Sequence, residues 1–306
     1  MAKKILFIHG LASKPAKETL RANWEKCLAK NLELFNGGPV GTPYTCKMAY
    51  WANAIPNHLE DTDDTVGKVA VRIDELLKKR ENLGNDFHVG KGAKFRAFFK
   101  DKALDVVDFF GTALTIKDEV SEMFLQEVRY YKNDQYIADK IRKTLEDELI
   151  EAWENGDNVA LLSHSMGTFI AYDVLWRFSY KNVAPYNRYR DKKVELFVTM
   201  GSPLGDKTIQ DLLFAEHHKD ERRYPNNVAA WYNFSALGDI VSHDSTLKDD
   251  FIARMQKSGI LNAESNDYVK LYNPFMTPEK TRNPHKSYGY LVQPKLAQRI
   301  TEFLNA

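Results

Sequence analysis

The stretch "NVALLSHSMGTFIAYDVL", residues 158 to 175, decides how this chain is read. "NVALLS" (158–163) is continuously apolar, as a strand buried on both faces is, and a helical pattern starts directly after Ser165. Ser165 therefore stands at a tight strand-to-helix turn. A turn of this kind exposes a hydroxyl at the end of a buried strand and crowds its surroundings, so the residues two before and two after must be small. Here they are Ser163 and Gly167. The helix opening at Met166 adds free N–H groups and a dipole that favour a developing oxyanion. The plainer reading of Ser165 is a serine that starts a buried helix.

Upstream, "KILFIH" (4–9) is a strand that stops at Gly10, and Leu20, Trp24, Leu28 and Leu32 form a helical stripe ended by "NGG" (36–38). "TCKMAYW" (45–51) reads as a second strand, and Val66, Val69, Ile73 and Leu77 mark a helix closed near Gly84. Downstream, Ile137, Ile141, Leu145 and Leu149 line a helix ahead of the 158–163 strand. A helix over 166–180, a strand over 194–200, a helix near 206–217, strands over 229–236 and 267–272 and a last helix near 293–304 follow. Strands that are apolar on both faces and separated by helices predict an α/β fold, a mostly parallel sheet with helices on both faces. Residues 85–132 break the alternation, mixing aromatics with lysines. Their helical spacing at Val120, Phe124, Val128 and Tyr131 predicts a helical insertion, a candidate lid, within a single domain spanning 1–306.

The pentapeptide "SHSMG" after an apolar strand resembles the nucleophile elbow of the α/β-hydrolase superfamily, G-x-S-x-G, with Ser163 in place of the first glycine. "LFIHGLAS" (6–13) resembles that superfamily's strand ending in His-Gly, whose following loop supplies an oxyanion-hole N–H. The resemblance implies Leu11 and Met166 as the two backbone donors, with His9 supporting the loop. The superfamily's order of nucleophile, acid and histidine implies Asp239 as the acid, in "WYNFSALGDIV", and His285 as the base, in "RNPHKSYGYL". The Gly-Asp turn and "MGSPLG" (200–205) are similar to the branch around GPI inositol-deacylase-like lipases. An Asp after Gly is also an ordinary turn former. His243 is the rival base, but it follows Asp239 too soon for that order. Ser202 lacks the elbow spacing, and Pro203 after it has no N–H to offer an oxyanion, so Ser202 is expected to shape the pocket wall. The two strands that the superfamily usually places before His-Gly have no counterpart, which affects the expected sheet edge and not the site.

The resemblance implies a serine hydrolase that cleaves a carboxylic ester of a small molecule or lipid through an acyl-enzyme on Ser165, with no cofactor and no metal. Thioesterases and acyltransferases use the same constellation. A non-catalytic protein that holds an acyl chain or a protein partner is the alternative from another class.

Composition narrows the partners. A formal net charge of +1 over 306 residues gives no global attraction to nucleic acid. No apolar run approaches 18 residues, so no integral membrane segment is expected, and the N-terminus lacks a signal-peptide apolar region; a cytoplasmic protein is the expectation. The basic, aromatic stretch within 91–110 is a candidate for peripheral lipid contact. Cys27 and Cys46, the only cysteines, are too few for a disulfide framework. "EHHKD" (216–220) reads as a solvated helix end rather than a metal site, because adjacent helical residues diverge. "EDTDD" (60–64) reads as acids at a helix N-terminus.

Overall fold

The computed structural model describes residues 1–11, 14–56, 58, 60–85, 127–242 and 246–306. Its strands are β1 (Lys3–Ile8), β2 (Tyr44–Ala49), β3 (Asn158–His164), β4 (Leu196–Met200), β5 (Trp231–Ala236) and β6 (Asn266–Leu271). They pair in the order β2-β1-β3-β4-β5-β6, and every pairing is parallel. Helices packed on the two faces of the sheet include α1 (Lys17–Asn36), α2 (Asp63–Leu83), α3 (Gln135–Glu154), α4 (Met166–Tyr180), α5 (Ser287–Leu291) and α6 (Pro294–Asn305).

The unbroken apolar runs bury both sheet faces, as expected. Along β1, Leu6 and Ile8 join a core with α3 and α4, while Ile5 and Phe7 join a second core with α1, α2, α5 and α6. Leu161 and Leu162 of β3 divide in the same way. The α1 stripe of Leu20, Trp24, Leu28 and Leu32 is buried, and the helix stops at Gly37, whose φ of 68° suits glycine and whose N–H caps the Glu33 carbonyl. Thr62 caps α2 by accepting from the Thr65 N–H, so the 60–64 acids do flank a helix start. Cys27 and Cys46 are free and buried.

The expected helix over 206–217 is a correction. Only Lys207–Gln210 is helical, and the chain then runs through successive turns. The reason is local. Leu212, Leu213 and Glu216 donate to carbonyls three residues back, and the Phe214 N–H is taken by the Asp173 carboxylate instead of by a helical carbonyl. Of the insertion expected over 85–132, residues 86–126 lie outside the described residues, as does the basic stretch within 91–110. Residues 127–133 are helical, and Tyr131 is buried with its hydroxyl donating to Asp173 on α4. Among the described residues, no helix is long and apolar enough to cross a membrane.

The strand order sets the position of any site. β1 leads through α1 to β2 on one side, while β3 pairs with β1 on the other. The order in which strands are added reverses between β1 and β3, and in open parallel sheets ligands bind beyond the carboxyl ends of the strands at such a switch point. Gly10 and Ser165 stand there.

Candidate active site

Ser165 links β3 to α4 with φ 55° and ψ −129°, a left-handed backbone that a non-glycine residue adopts only when its surroundings impose it. Those surroundings are explicit. The Ser165 N–H donates to Met200 O of β4 at 3.0 Å, and its carbonyl accepts from both the N–H and the hydroxyl of Thr168. The Ser163 hydroxyl donates to Val198 O at 2.8 Å, so this side chain ties β3 to β4. A Cβ on Gly167 would lie 2.5 Å from the His9 carbonyl oxygen, and one on Gly10 would lie 2.5 Å from Ser165 Cβ. The end of β1 and the turn after β3 therefore touch backbone to backbone, which only glycines permit.

The three residues singled out in sequence order meet here. Ser165 Oγ lies 3.0 Å from His285 Nε2, and His285 Nδ1 lies 2.9 and 3.0 Å from the two Asp239 carboxylate oxygens. The carboxylate only accepts, so Nδ1 carries the proton and Nε2 accepts from the Ser165 hydroxyl. The Asp239 side chain is fully shielded from solvent, whereas the His285 side chain is 28% exposed. The relay thus runs from a dry acid to an imidazole with an open edge. Val241 N–H donates to Asp239 Oδ1 at 3.0 Å, and the Tyr290 hydroxyl reaches Oδ2 at 2.5 Å. Gly201, at φ 54°, passes so close that a Cβ there would meet Asp239 Oδ2 at 2.8 Å.

The loop that presents His285 is held from several sides. The Asn273 amide donates to the carbonyls of Pro284 and Lys286, and Gly289 leaves the space that the Asn273 side chain fills. The His285 N–H donates to Asn283 Oδ1 at 3.1 Å. His164, between the two serines of "SHSMG", donates from Nε2 to the His285 carbonyl at 2.7 Å, with its ring 4.7 Å from the His285 ring. Burial, reinforced by His285 itself, holds His164 well below the ordinary histidine range, so it stays neutral. Sequence reading did not single out His164, Tyr290 or Asn273. An aromatic in a short helix and an Asn before a Pro carry no signal without the fold.

Leu11 and Met166 follow Gly10 and Ser165 directly, and among the described residues neither amide donates to another protein group. Met166 opens α4, where the first N–H groups have no helical partner. The Lys14 ammonium donates to the Leu11 carbonyl and so braces that loop. His9 supports the loop, as read from the sequence. Its Nε2 accepts from Trp51 N–H at 3.1 Å, its Nδ1 therefore donates to Gly10 O at 2.7 Å, and its ring stacks on Trp51 at 4.8 Å. Ser202 is buried and shares a hydrogen bond with the Thr168 hydroxyl at 2.8 Å. His243 lies outside the described residues. His217 is exposed and pairs with its neighbour Glu216, and no group of metal-ligating side chains occurs among the described residues.

His9 makes stability depend on pH. Burial, with the Lys14 charge second, lowers it from 6.5 to about 3. The unfolded chain therefore binds this proton near pH 6.5 and the folded chain only near 3, so stability is present above that window and is lost as pH falls through it. The size is on the order of 5 kcal/mol at the low end. Buried Asp173, raised from 3.8 to about 6, has the opposite slope and offsets part of the loss. Urea unfolding of His9→Phe between pH 7 and 3 is expected to show a flatter decline than wild type, since the Asp173 contribution cancels in the comparison.

Comparison with protein-family models, with curated proteins and with solved structures returns no match for this chain.

Proposed function

We propose that this protein is a serine hydrolase of the α/β-hydrolase type that cleaves a carboxylic ester through an acyl-enzyme on Ser165. The observation that carries this reading is the continuous relay from Asp239 through His285 to Ser165, on a serine whose backbone is forced to a φ of 55°. A serine hydroxyl is a poor nucleophile without a base in hydrogen-bond reach, and a strained serine whose backbone is held by three hydrogen bonds is costly if the hydroxyl does nothing.

In this reading Ser165 Oγ attacks the acyl carbon while His285 Nε2 takes its proton. The imidazolium is stabilised by Asp239, which also keeps the proton on Nδ1. The oxyanion is held by the N–H groups of Leu11 and Met166 and by the positive end of α4. His285 then protonates the leaving alkoxide, leaving Ser165 acylated. Water attacks the acyl-enzyme with His285 again as base, and Ser165 recovers its proton. Thioester cleavage and acyl transfer would use the same steps with a different leaving group or acceptor.

A fluorophosphonate probe tests the reading. Covalent capture at Ser165, mapped by peptide mass spectrometry, is expected. A protein of this fold that only binds an acyl chain or a partner would not react, and an unlabelled, folded protein would sink the proposal.

A further inference from the structure

The ester chemistry gives no task to Tyr290, a fully buried phenol on α5 that touches Asp239. Its oxygen lies 2.5 Å from Asp239 Oδ2, and the N–H of Ala236, the last residue of β5, donates to the same oxygen at 2.9 Å. The amide can only donate, the Ser242 hydroxyl also in reach can donate as well as accept, and the charged carboxylate at 2.5 Å can only accept, so the phenol proton points at the carboxylate. Burial, and then the Asp239 charge, hold this phenol well above its ordinary range, so it remains a donor. A short O–H···O⁻ bond is roughly twice as strong as a neutral one. It draws charge from Oδ2, one of the two oxygens that accept from His285 Nδ1.

We propose that Tyr290 is a positioning residue that locks the Asp239 carboxylate and limits how strongly Asp239 holds a second proton on His285. The inference rests on the hydrolase reading. A carboxylate that offered its whole charge to His285 would keep the imidazole protonated to higher pH, where it could not accept the Ser165 proton. Tyr290 shares that charge and leaves the base available. The other charged or titratable groups around the pair are His164 from β3, Lys14 from the loop after β1, Lys286 next to His285, and Arg282, whose guanidinium donates to the Leu237 carbonyl at 3.5 Å. The experiment leaves all of them in place.

The test is the rate of fluorophosphonate labelling against pH for wild type, for Tyr290→Phe, and for protein with 3,5-difluorotyrosine at position 290. Removing the donor is expected to raise the pH of half-maximal labelling by about half a unit or more. The fluorinated phenol is a stronger donor of nearly the same shape and is expected to lower it. A purely structural role for the hydroxyl would slow labelling without shifts of opposite sign. Should Tyr290→Phe fail to fold, the fluorinated protein decides alone. Labelling whose pH midpoint is indifferent to the replacements overturns this inference and spares the hydrolase reading. A wild-type protein that is never labelled overturns both.

Discussion

Ser165→Ala is expected to cut turnover of activated short-chain esters by ~10⁴ to 10⁶-fold, the scale of triad serines. The loss should fall on chemistry and not on folding. The contacts that fix this residue, its N–H to Met200 O and its carbonyl to Thr168, use backbone atoms that alanine retains. Alanine also keeps the Cβ, so the strained φ of 55° costs about as much as before. Ser165→Gly should lose the same activity and unfold at a higher temperature, because glycine adopts that φ without strain. A melt and a p-nitrophenyl ester assay on both variants separate the two effects. Residual turnover in a clean Ser165→Ala preparation near the wild-type rate would move the nucleophile elsewhere.

His285→Ala should approach the loss seen for Ser165→Ala, because Ser165 has then no acceptor for its proton. Asp239→Asn should lose less, on the order of 10³ to 10⁴-fold. The surroundings of Asp239 make the substitution awkward. Val241 N–H donates to one oxygen and the Tyr290 hydroxyl to the other, while His285 Nδ1 donates between them. An asparagine NH₂ must face one of those donors, leaving a buried donor unpaired at about 1–3 kcal/mol. Stability should therefore fall along with turnover in Asp239→Asn, whereas the partly open position of His285 should make its removal cheaper for the fold. His243→Ala should stay within about tenfold of wild type. If His243 proved essential and His285 dispensable, the assignment of the base would be wrong.

Much of this was legible in the chain because apolar periodicity responds directly to burial. "KILFIH" and "NVALLS" have both faces covered, and they read as unbroken runs for that reason. Ser165 could be picked out because it follows a buried strand directly, and Asp239 and His285 because the order implied by the resemblance places an acid and then a histidine downstream of it. What the sequence hid depends on contacts between distant segments. His164 looks like filler between two serines until the His285 carbonyl arrives beside it, and Tyr290 looks like core until Asp239 does. The helix expected over 206–217 failed because a carboxylate on α4, far away in sequence, claims the Phe214 amide. Local propensity cannot see such a competitor.

An all-parallel sheet contains no hairpins, and this has a kinetic consequence. Lys3 must find Asn158 before β1 and β3 pair, and even β4 and β5 join residues as separated as Phe197 and Trp231. Each pairing closes a long loop before any bond repays it, the condition under which folding is slow. The elbow depends on two of these closures together, β1 with β3 and β3 with β4, since Gly10 follows β1, the Met200 carbonyl ends β4 and Ser165 follows β3. A chain with its helices formed but its sheet unfinished has no reason to hold Ser165 at a positive φ. During refolding, reactivity of that hydroxyl should then lag behind the return of helical circular dichroism, and serve as a clock for completion of the sheet.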